Sequence, residues 1–160
     1  PEAAYQWMST GPQGMATQLG AEILSHIRFP WEQVLHTIRH HHDAPGCQAF
    51  SKASQNGNGL ATRIIGLVDA FDAMTTDRPY RKARTVRDTL GEIVDCLNTQ
   101  FDPEIVRVLL HMIERDIDTP AAERRVLGGR RIEEDVDRLR IAIQRALNHV
   151  EQYIDIVSAS

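Results

Sequence analysis

Four histidines lie within seven residues of this chain, at positions 36, 40, 41 and 42. His40 and His41 end a predicted helix, just before a segment that contains Gly46. Because neighbouring residues on a helix point about 100° apart, adjacent histidines do not usually bind one ion symmetrically. The pair can instead serve two metal ions, or one imidazole can bind metal while the other contacts a substrate. Imidazole is a ligand of zinc, iron, manganese and nickel ions, so the pattern indicates metal chemistry.

A carboxylate that could join these histidines lies in the next apolar segment. Asp69 interrupts the run Ile-Gly-Leu-Val-Asp-Ala-Phe, where a carboxylate costs free energy unless it is paired or binds a metal. Structural alternatives stay open at this point. The histidines can form an exposed polar helix end, and Asp69 can form an ion pair with Arg63 or Arg78.

Composition sets the class of protein. The chain has 160 residues, of which 42% are hydrophobic and 25% are charged, as is typical of one soluble globular domain. A net charge of −4 gives no basic surplus for a nucleic-acid duplex, and no apolar run is long enough to span a membrane. Cys47 and Cys96 lie far apart and outside any Cys-x-x-Cys spacing, which favours a location in the reducing cytoplasm.

Apolar residues at helical spacing predict an all-α fold without strands. We expect helices over 15–27, 31–42, 60–76, 85–98 and from 103 onward, with a long Gly- and Pro-containing loop over 44–59. Thr85 can cap the fourth helix, and Asp102-Pro103 has the cap and first-turn proline of the fifth. The helix over 60–76 is apolar enough to be the central buried one, with Leu60, Ile64, Leu67, Val68, Phe71 and Met74 on one face.

The C-terminal part reads differently from the rest. Residues 118–129 resemble a linker, and residues 130–160 carry apolar side chains at nearly heptad spacing. This seam consists of Ile132, Val136, Leu139, Ile143, Ala146, Val150, Tyr153 and Val157. One interpretation is a two-stranded coiled coil that makes a homodimer. The other is an amphipathic helix packed back on its own domain, because Ile141, Leu147, Ile154 and Ile156 widen the apolar stripe.

Several segments together resemble the HD-GYP family, an all-helical subset of the HD phosphohydrolases. The most specific is Asp-Ala-Phe-Asp-Ala-Met-Thr-Thr-Asp-Arg-Pro-Tyr-Arg-Lys-Ala over 69–83. Gly-Ala-Glu-Ile-Leu over 20–24, His40-His41 and Phe-Asp-Pro over 101–103 also match. The resemblance covers roughly residues 15–113 and implies an HD-GYP-like helical domain over 1–117. It also implies hydrolysis of the bacterial second messenger cyclic di-GMP at a site of two or three divalent metal ions, often iron or manganese.

The resemblance also implies roles for individual residues. His40, His41 and Asp69 fall at metal-ligand positions, and Arg78 and Arg81 fall where the family has cations that contact substrate phosphates. The chemistry agrees, since phosphodiester hydrolysis needs a metal-bound hydroxide and positive charge on the non-bridging oxygens. The fork of an arginine fits phosphate. A structural alternative for Arg78 is an ion pair with Asp72 or Asp77 at the helix end, and no residue is assigned as catalytic.

The chain departs from the family pattern in three places. The His-Asp pair and the His-Asp-x-Gly-Lys segment of the family would precede residue 1. The family histidine before Gly-Ala-x-Ile-Leu has no counterpart at Gly11 or Ala16, and the Gly-Tyr-Pro loop is replaced over 42–50.

We therefore expect weak or absent hydrolysis of cyclic di-GMP. Two alternatives are a catalytically dead regulatory and dimerisation module without metal, and an HD-type phosphohydrolase of another nucleotide. Since only the back half of the family pattern is present, we also expect an exposed apolar face near the N-terminal helix, or a dimer that covers it.

Overall fold

The computed structural model describes residues 12–26, 32–40, 59–79, 81–120, 123, 126–127 and 136–159. Within these ranges the fold is all-α, as the sequence predicts. The helices are α1 (Pro12–His26), α2 (Glu32–His40), α3 (Gly59–Thr75), α4 (Val86–Asp95), α5 (Pro103–Ile117) and α6 (Val136–Ser158). The extended pairing found in the same ranges is limited to two isolated bridges, and no helix there is long and apolar enough to cross a membrane.

The predicted caps of α4 and α5 are confirmed. The Thr85 hydroxyl accepts the N–H of Asp88 at 3.1 Å, and the Asp102 carboxylate accepts the N–H of Glu104 at 2.9 Å. Both caps satisfy amides of the first turn, which have no partner within the helix. Pro103 stands in the first turn of α5, where its missing N–H costs nothing.

The end of α4 comes earlier than predicted, at Asp95 rather than Asn98. The N–H of Cys96 bonds to the carbonyl of Ile93 at 3.2 Å, and Asn98 adopts a φ of 56°. Asparagine is among the few residues that tolerate this left-handed conformation. Its N–H then bonds to the carbonyl of Phe101 at 2.8 Å, so a tight turn leads directly into the cap of α5.

Two compact units divide the chain, and the first is Pro1–Gly66. It contains α1, α2 and the first half of α3. Ala21 is fully buried, and a Cβ placed on Gly20 would lie 3.7 Å from Cγ2 of Ile38, so α1 and α2 pack closely there. Leu19 and Ile23 of α1 are nevertheless 58% and 56% exposed, and the apolar face expected near the N-terminal helix stays a prediction.

The second unit, Leu67–Ser160, contains the second half of α3 together with α4, α5 and α6. The Asp118 carboxylate accepts a bond from Arg140 at 2.8 Å, and Glu114 accepts one from Gln144. Since later residues of α6 meet earlier residues of α5, the two helices are antiparallel. Their inward faces form one core with α4 and the end of α3. Its buried members include Leu67, Phe71, Val86, Leu90, Ile93, Val106, Leu110, Ile113, Leu127, Leu139, Ile143, Leu147 and Val150.

The expectation that one whole face of α3 is buried is wrong. Leu67 and Phe71 are buried, whereas Leu60 and Val68 are 54% and 52% exposed and Ile64 is 41% exposed. Apolar residues occupy more of the circumference of α3 than packing covers. Periodicity identifies the helix, but it does not identify which apolar residues find a neighbour.

Part of the segment between α5 and α6 is fixed to the second unit. Asp116 is only 8% exposed, and its carboxylate accepts the N–H groups of Val126 and Leu127 at 3.1 and 2.8 Å. Leu127 itself is fully buried.

The inward face of α6 packs on its own chain, against α4 and α5. The domain limits at 117 and 129 stay a prediction.

Candidate functional site

His40 lies in the last turn of α2, where it is half-buried. Its ring contacts the ring of His36, one turn earlier, with 4.4 Å between centroids and a tilt of 38°. Arg39 precedes it, so this helix ends with basic groups at the negative end of its dipole, a favourable arrangement. His41 and His42 lie outside the described residues.

Asp69 lies in the second half of α3 and is exposed. Residues three and four apart share one side of a helix, so Asp69 lies on the same side of α3 as Asp72 and Ala73. Within the ranges that the structure describes, the Asp69 carboxylate forms no ion pair with Arg63 or Arg78. The structural alternative considered for this residue is therefore not formed there. A carboxylate on the exposed side of the helix also avoids the cost of burial.

Arg78 and Arg81 belong to one tight turn after α3. The N–H of Arg78 bonds to the carbonyl of Arg81 at 2.8 Å, and the N–H of Arg81 bonds to the carbonyl of Arg78 at 3.0 Å. The second bond spans a β-turn with Pro79 at its second position, which proline favours. The two predicted phosphate ligands are thus held together by main-chain hydrogen bonds.

The Arg81 guanidinium folds back onto α3. Its Nη2 donates to the carbonyl of Ala73 at 2.6 Å, which brings a cation to a helix end whose last turn has no basic residue. Cations are favourable at this negative end of a helix. Ala73 follows Asp69 by one turn of α3. The turn therefore holds Arg81 against α3 at a carbonyl one turn after Asp69.

Arg78 differs from Arg81 in its surroundings. It is exposed, and within the described part of the chain its guanidinium forms no ion pair with Asp72 or Asp77. Asp77 is engaged elsewhere, since its Oδ1 accepts the N–H of Ala83 at 2.7 Å. The sequence alone suggests Asp77 only as an ion-pair partner for Arg78. An aspartate at the start of a Pro-containing turn was the signal for this backbone role.

A complete metal centre is not found among the described side chains. In these ranges no three His, Cys, Asp or Glu residues lie close enough to hold one ion. His40 belongs to the first unit and Asp69 to the second, and His41 is not described. The three residues therefore stay predicted ligands.

Comparison with known proteins identifies the family. The HD domain family matches residues 15–105, more than half of the chain, and the chain belongs to this family. The HD-GYP-like character predicted from its motifs is confirmed. No solved structure matches the chain.

The relatives include cyclic dinucleotide phosphodiesterases. A cyclic di-GMP phosphodiesterase of Pseudomonas aeruginosa is 27% identical over 97 residues, 60% of this chain and 23% of that protein. A cyclic di-GMP phosphodiesterase response regulator of Xanthomonas campestris is 32% identical over 95 residues, 58% of this chain and 25% of that protein. A 3'3'-cGAMP-specific phosphodiesterase of Vibrio cholerae is 42% identical over 50 residues, 31% of this chain and 11% of that protein. The chain therefore spans a quarter or less of the length of these relatives.

Proposed function

We propose that this chain is part of an HD-GYP-type phosphodiesterase domain that binds cyclic di-GMP in bacterial signalling. Family membership and the relatives of Pseudomonas and Xanthomonas support the substrate class. The observation that carries the proposal is the turn after α3, which joins the exposed Arg78 to Arg81, whose guanidinium is bonded to Ala73 of α3. We place the protein in the cytoplasm, where the free thiol of Cys96 stays reduced.

In this proposal the two arginines bind the phosphates of the nucleotide. Arg78 offers a guanidinium that is not engaged by Asp72 or Asp77 in the described residues, and such a fork makes two charge-assisted hydrogen bonds to one phosphate. Arg81 uses one nitrogen on Ala73, and a guanidinium has further donors. Arg78 is therefore the principal phosphate ligand, and Arg81 the secondary one.

The proposed metal ligands are His40, His41 and Asp69. Two imidazoles and a carboxylate suit iron, manganese or another divalent ion, and three protein ligands leave a coordination position open. When bound, such an ion supplies an activated hydroxide for attack on phosphorus. Since the family histidine near Gly11 or Ala16 and the Gly-Tyr-Pro loop are absent, we propose that hydrolysis is weak or absent.

The first test is calorimetric binding of cyclic di-GMP to the purified chain in the presence of Mn²⁺. We expect Arg78→Ala to weaken binding about 10- to 100-fold, the value of a hydrogen-bonded charge. Arg107→Ala is the matched control, because Arg107 pairs with Glu104 in α5 at 2.6 Å, and we expect unchanged binding. Equal affinities of the two variants, or no binding at about 1 mM nucleotide, would contradict the proposal.

Turnover and metal content separate the proposed phosphodiesterase from a dead module. We expect turnover below about 1 s⁻¹, a modest enzymatic rate, and measurable metal after growth in manganese- or iron-supplemented medium. Less than about 0.1 metal ion per chain would favour the catalytically dead regulatory module, because convergent ligands retain an ion.

A second candidate substrate is 3'3'-cGAMP. The Vibrio cholerae relative that is 42% identical over 50 residues is specific for this nucleotide, and it has the same phosphodiester chemistry. A panel with cyclic di-GMP and 3'3'-cGAMP under one set of conditions decides between the two. If the chain binds 3'3'-cGAMP at least tenfold more tightly than cyclic di-GMP, the proposed ligand becomes 3'3'-cGAMP.

We further propose that the chain forms a homodimer through α6. The inward side of α6 is buried in its own unit, so the contact must use outward residues. Ile141, Ile156 and Val157 are apolar and 53%, 68% and 55% exposed. Such residues favour association when a second surface covers them.

A further inference from the structure

Three closures surround the arginine turn, one inside the other. The innermost is the pair of main-chain bonds between Arg78 and Arg81. Around it, the Asp77 carboxylate accepts the N–H of Ala83 at 2.7 Å. The outermost joins the N–H of Arg84 to the carbonyl of Met74 at 2.9 Å. The segment that presents Arg78 is thus tied at three levels to the end of α3.

Among these three, the middle closure is the one made by a side chain; the Arg81 guanidinium adds a separate side-chain bond to the carbonyl of Ala73. The inner and outer closures use main-chain groups, which any residue except proline supplies, whereas the middle one requires an acceptor on residue 77. Asp77 directly precedes Arg78, so its side-chain bond limits the backbone freedom of the residue that carries the exposed guanidinium. Without the acceptor, the Ala83 N–H bonds to water and the segment has more conformations in the free protein. Ordering the segment when phosphate binds then costs more conformational entropy, which weakens binding.

We propose that Asp77 is a positioning residue, which closes the turn through Ala83 and thereby holds Arg78 for phosphate binding. This inference rests on the proposed function. Asp77 does not itself contact the nucleotide, since its carboxylate would repel phosphate. It acts as a hydrogen-bond acceptor, and its negative charge is a cost that the positioning outweighs.

The sign of the effect distinguishes this role from a purely electrostatic one. Removal of a negative charge near a phosphate site, by itself, strengthens binding of an anion. Asp77→Ala and Asp77→Asn both remove the charge, but only Asn keeps a side-chain oxygen that accepts the Ala83 N–H. Positioning therefore predicts that Asp77→Ala binds cyclic di-GMP about tenfold more weakly, whereas Asp77→Asn binds within about threefold of the native chain.

The experiment is a calorimetric double-mutant cycle with cyclic di-GMP on the full chain. If Asp77 acts through Arg78, Asp77→Ala has an effect of less than about twofold in the Arg78→Ala background. Thermal unfolding of each variant, followed by circular dichroism, reports whether the fold is retained. The inference would be overturned if Asp77→Ala bound cyclic di-GMP as tightly as the native chain or more tightly. It would also be overturned if both Asp77 variants lost the same affinity, or if Asp77→Ala caused its full loss of affinity in the Arg78→Ala background.

Amide hydrogen exchange tests the closure without any nucleotide. We expect Asp77→Ala to accelerate exchange of the Arg78, Arg81 and Ala83 amides about tenfold, and Asp77→Asn to leave them nearly unchanged. If the native chain binds no cyclic di-GMP, the proposed function fails, and this measurement still decides the closure. Unchanged exchange in Asp77→Ala would overturn it.

Discussion

Arg78 and Arg81 show how neighbours separate two residues of one type. Both belong to the same motif and the same turn, and the family resemblance gives them the same role. In the structure, Arg81 donates to the carbonyl of Ala73 at 2.6 Å and completes the end of α3. Arg78 is exposed and is not used in that way. At the scale of the residue, the hydrogen bonds that a guanidinium already makes within the protein therefore decide how many of its donors remain for a phosphate.

Asp116 is a buried polar residue whose substitution should destabilise the fold. Its carboxylate is nearly buried and accepts two backbone N–H groups, of Val126 and Leu127. Asp116→Ala leaves both donors without this acceptor, so the free energy of unfolding falls by about 2–3 kcal/mol. Urea unfolding of the variant and the native chain measures this change in the free energy of unfolding. Asp155→Ala on the exposed side of α6 is the control, with an expected change within about 0.5 kcal/mol, and equal losses would contradict this role.

The Asp118–Arg140 pair gives a prediction for acid pH. A hydrogen bond from Arg140 and then its charge hold the pKa of Asp118 below the ordinary value. Since the pKa is lower in the folded state, the pair stabilises the fold above the unfolded-state pKa. This contribution is lost as pH falls through the folded-state pKa, below about pH 4.

Arg140→Gln should therefore return the pKa of Asp118 toward its ordinary value. An NMR titration of the carboxyl carbon measures this shift, and the unfolding free energies of the variant and the native chain should converge as pH falls below the folded-state pKa of Asp118. Arg145→Gln, on another side of the same helix, should leave the Asp118 titration where it is. An unchanged Asp118 titration in Arg140→Gln would show that the pair does not form in solution.

At the scale of the element, α6 shows how one amphipathic pattern fits two arrangements. Its apolar stripe suits both a coiled-coil seam and a helix packed on its own domain. In the structure, Leu139, Ile143 and Val150 of the predicted seam are buried against the unit that contains them. Glu114 and Arg140 add polar contacts between α5 and α6. Only Val157, near the end of the seam, is more than half exposed among its described members.

Gly91 gives a prediction about α4. It is exposed within the helix, and a Cβ added there would meet nothing within 4 Å. Glycine in a helix interior costs about 0.5–1 kcal/mol relative to alanine, so Gly91→Ala should raise the midpoint of thermal unfolding by about 2–4 °C. Gly20→Ala, whose Cβ would touch Ile38 at 3.7 Å, is the comparison. A lower midpoint for Gly91→Ala would contradict the open space found beside this position among the described residues.

At the scale of the whole molecule, α6 is part of the core of the second unit. Deletion of residues 130–160 removes Leu139, Ile143, Leu147 and Val150 from that core. Each buried side chain is worth about 1.5–3 kcal/mol, and their sum is comparable to the whole stability of a domain. The shortened chain should therefore unfold in urea without a cooperative transition. Near-ultraviolet circular dichroism measures this transition. Retention of a cooperative transition would support a separate C-terminal helix.

Dimerisation is consequently tested on the surface of α6 rather than by deletion. Ile156→Glu changes an outward residue that is 68% exposed, so the fold should be retained. If the proposed dimer exists, light scattering should give the native chain a concentration-dependent mass and the variant the mass of a monomer. Asp155→Asn is a neighbouring control. A monomeric mass for both the native chain and the variant would contradict the proposed homodimer.

The sequence alone determined the features that depend on neighbours along the chain. The all-α class, the cap at Thr85, the Asp102-Pro103 start of α5 and the family motif were all predicted. Each involves groups within about one helical turn, so the local residue types suffice to specify the hydrogen bonds. The assignments of His40, His41 and Asp69 as metal ligands and of Arg78 and Arg81 as phosphate ligands came from the same motif and stay predictions.

Only the tertiary structure decided which residues are covered. It buried Leu67 and left Val68 half exposed on one helix, and it joined Asp116 to amides ten and eleven residues away. It also turned Arg81 onto Ala73 and left Arg78 exposed. Apolar periodicity is the same for a stripe that packs and one that does not, because burial depends on contacts between residues that are distant in sequence.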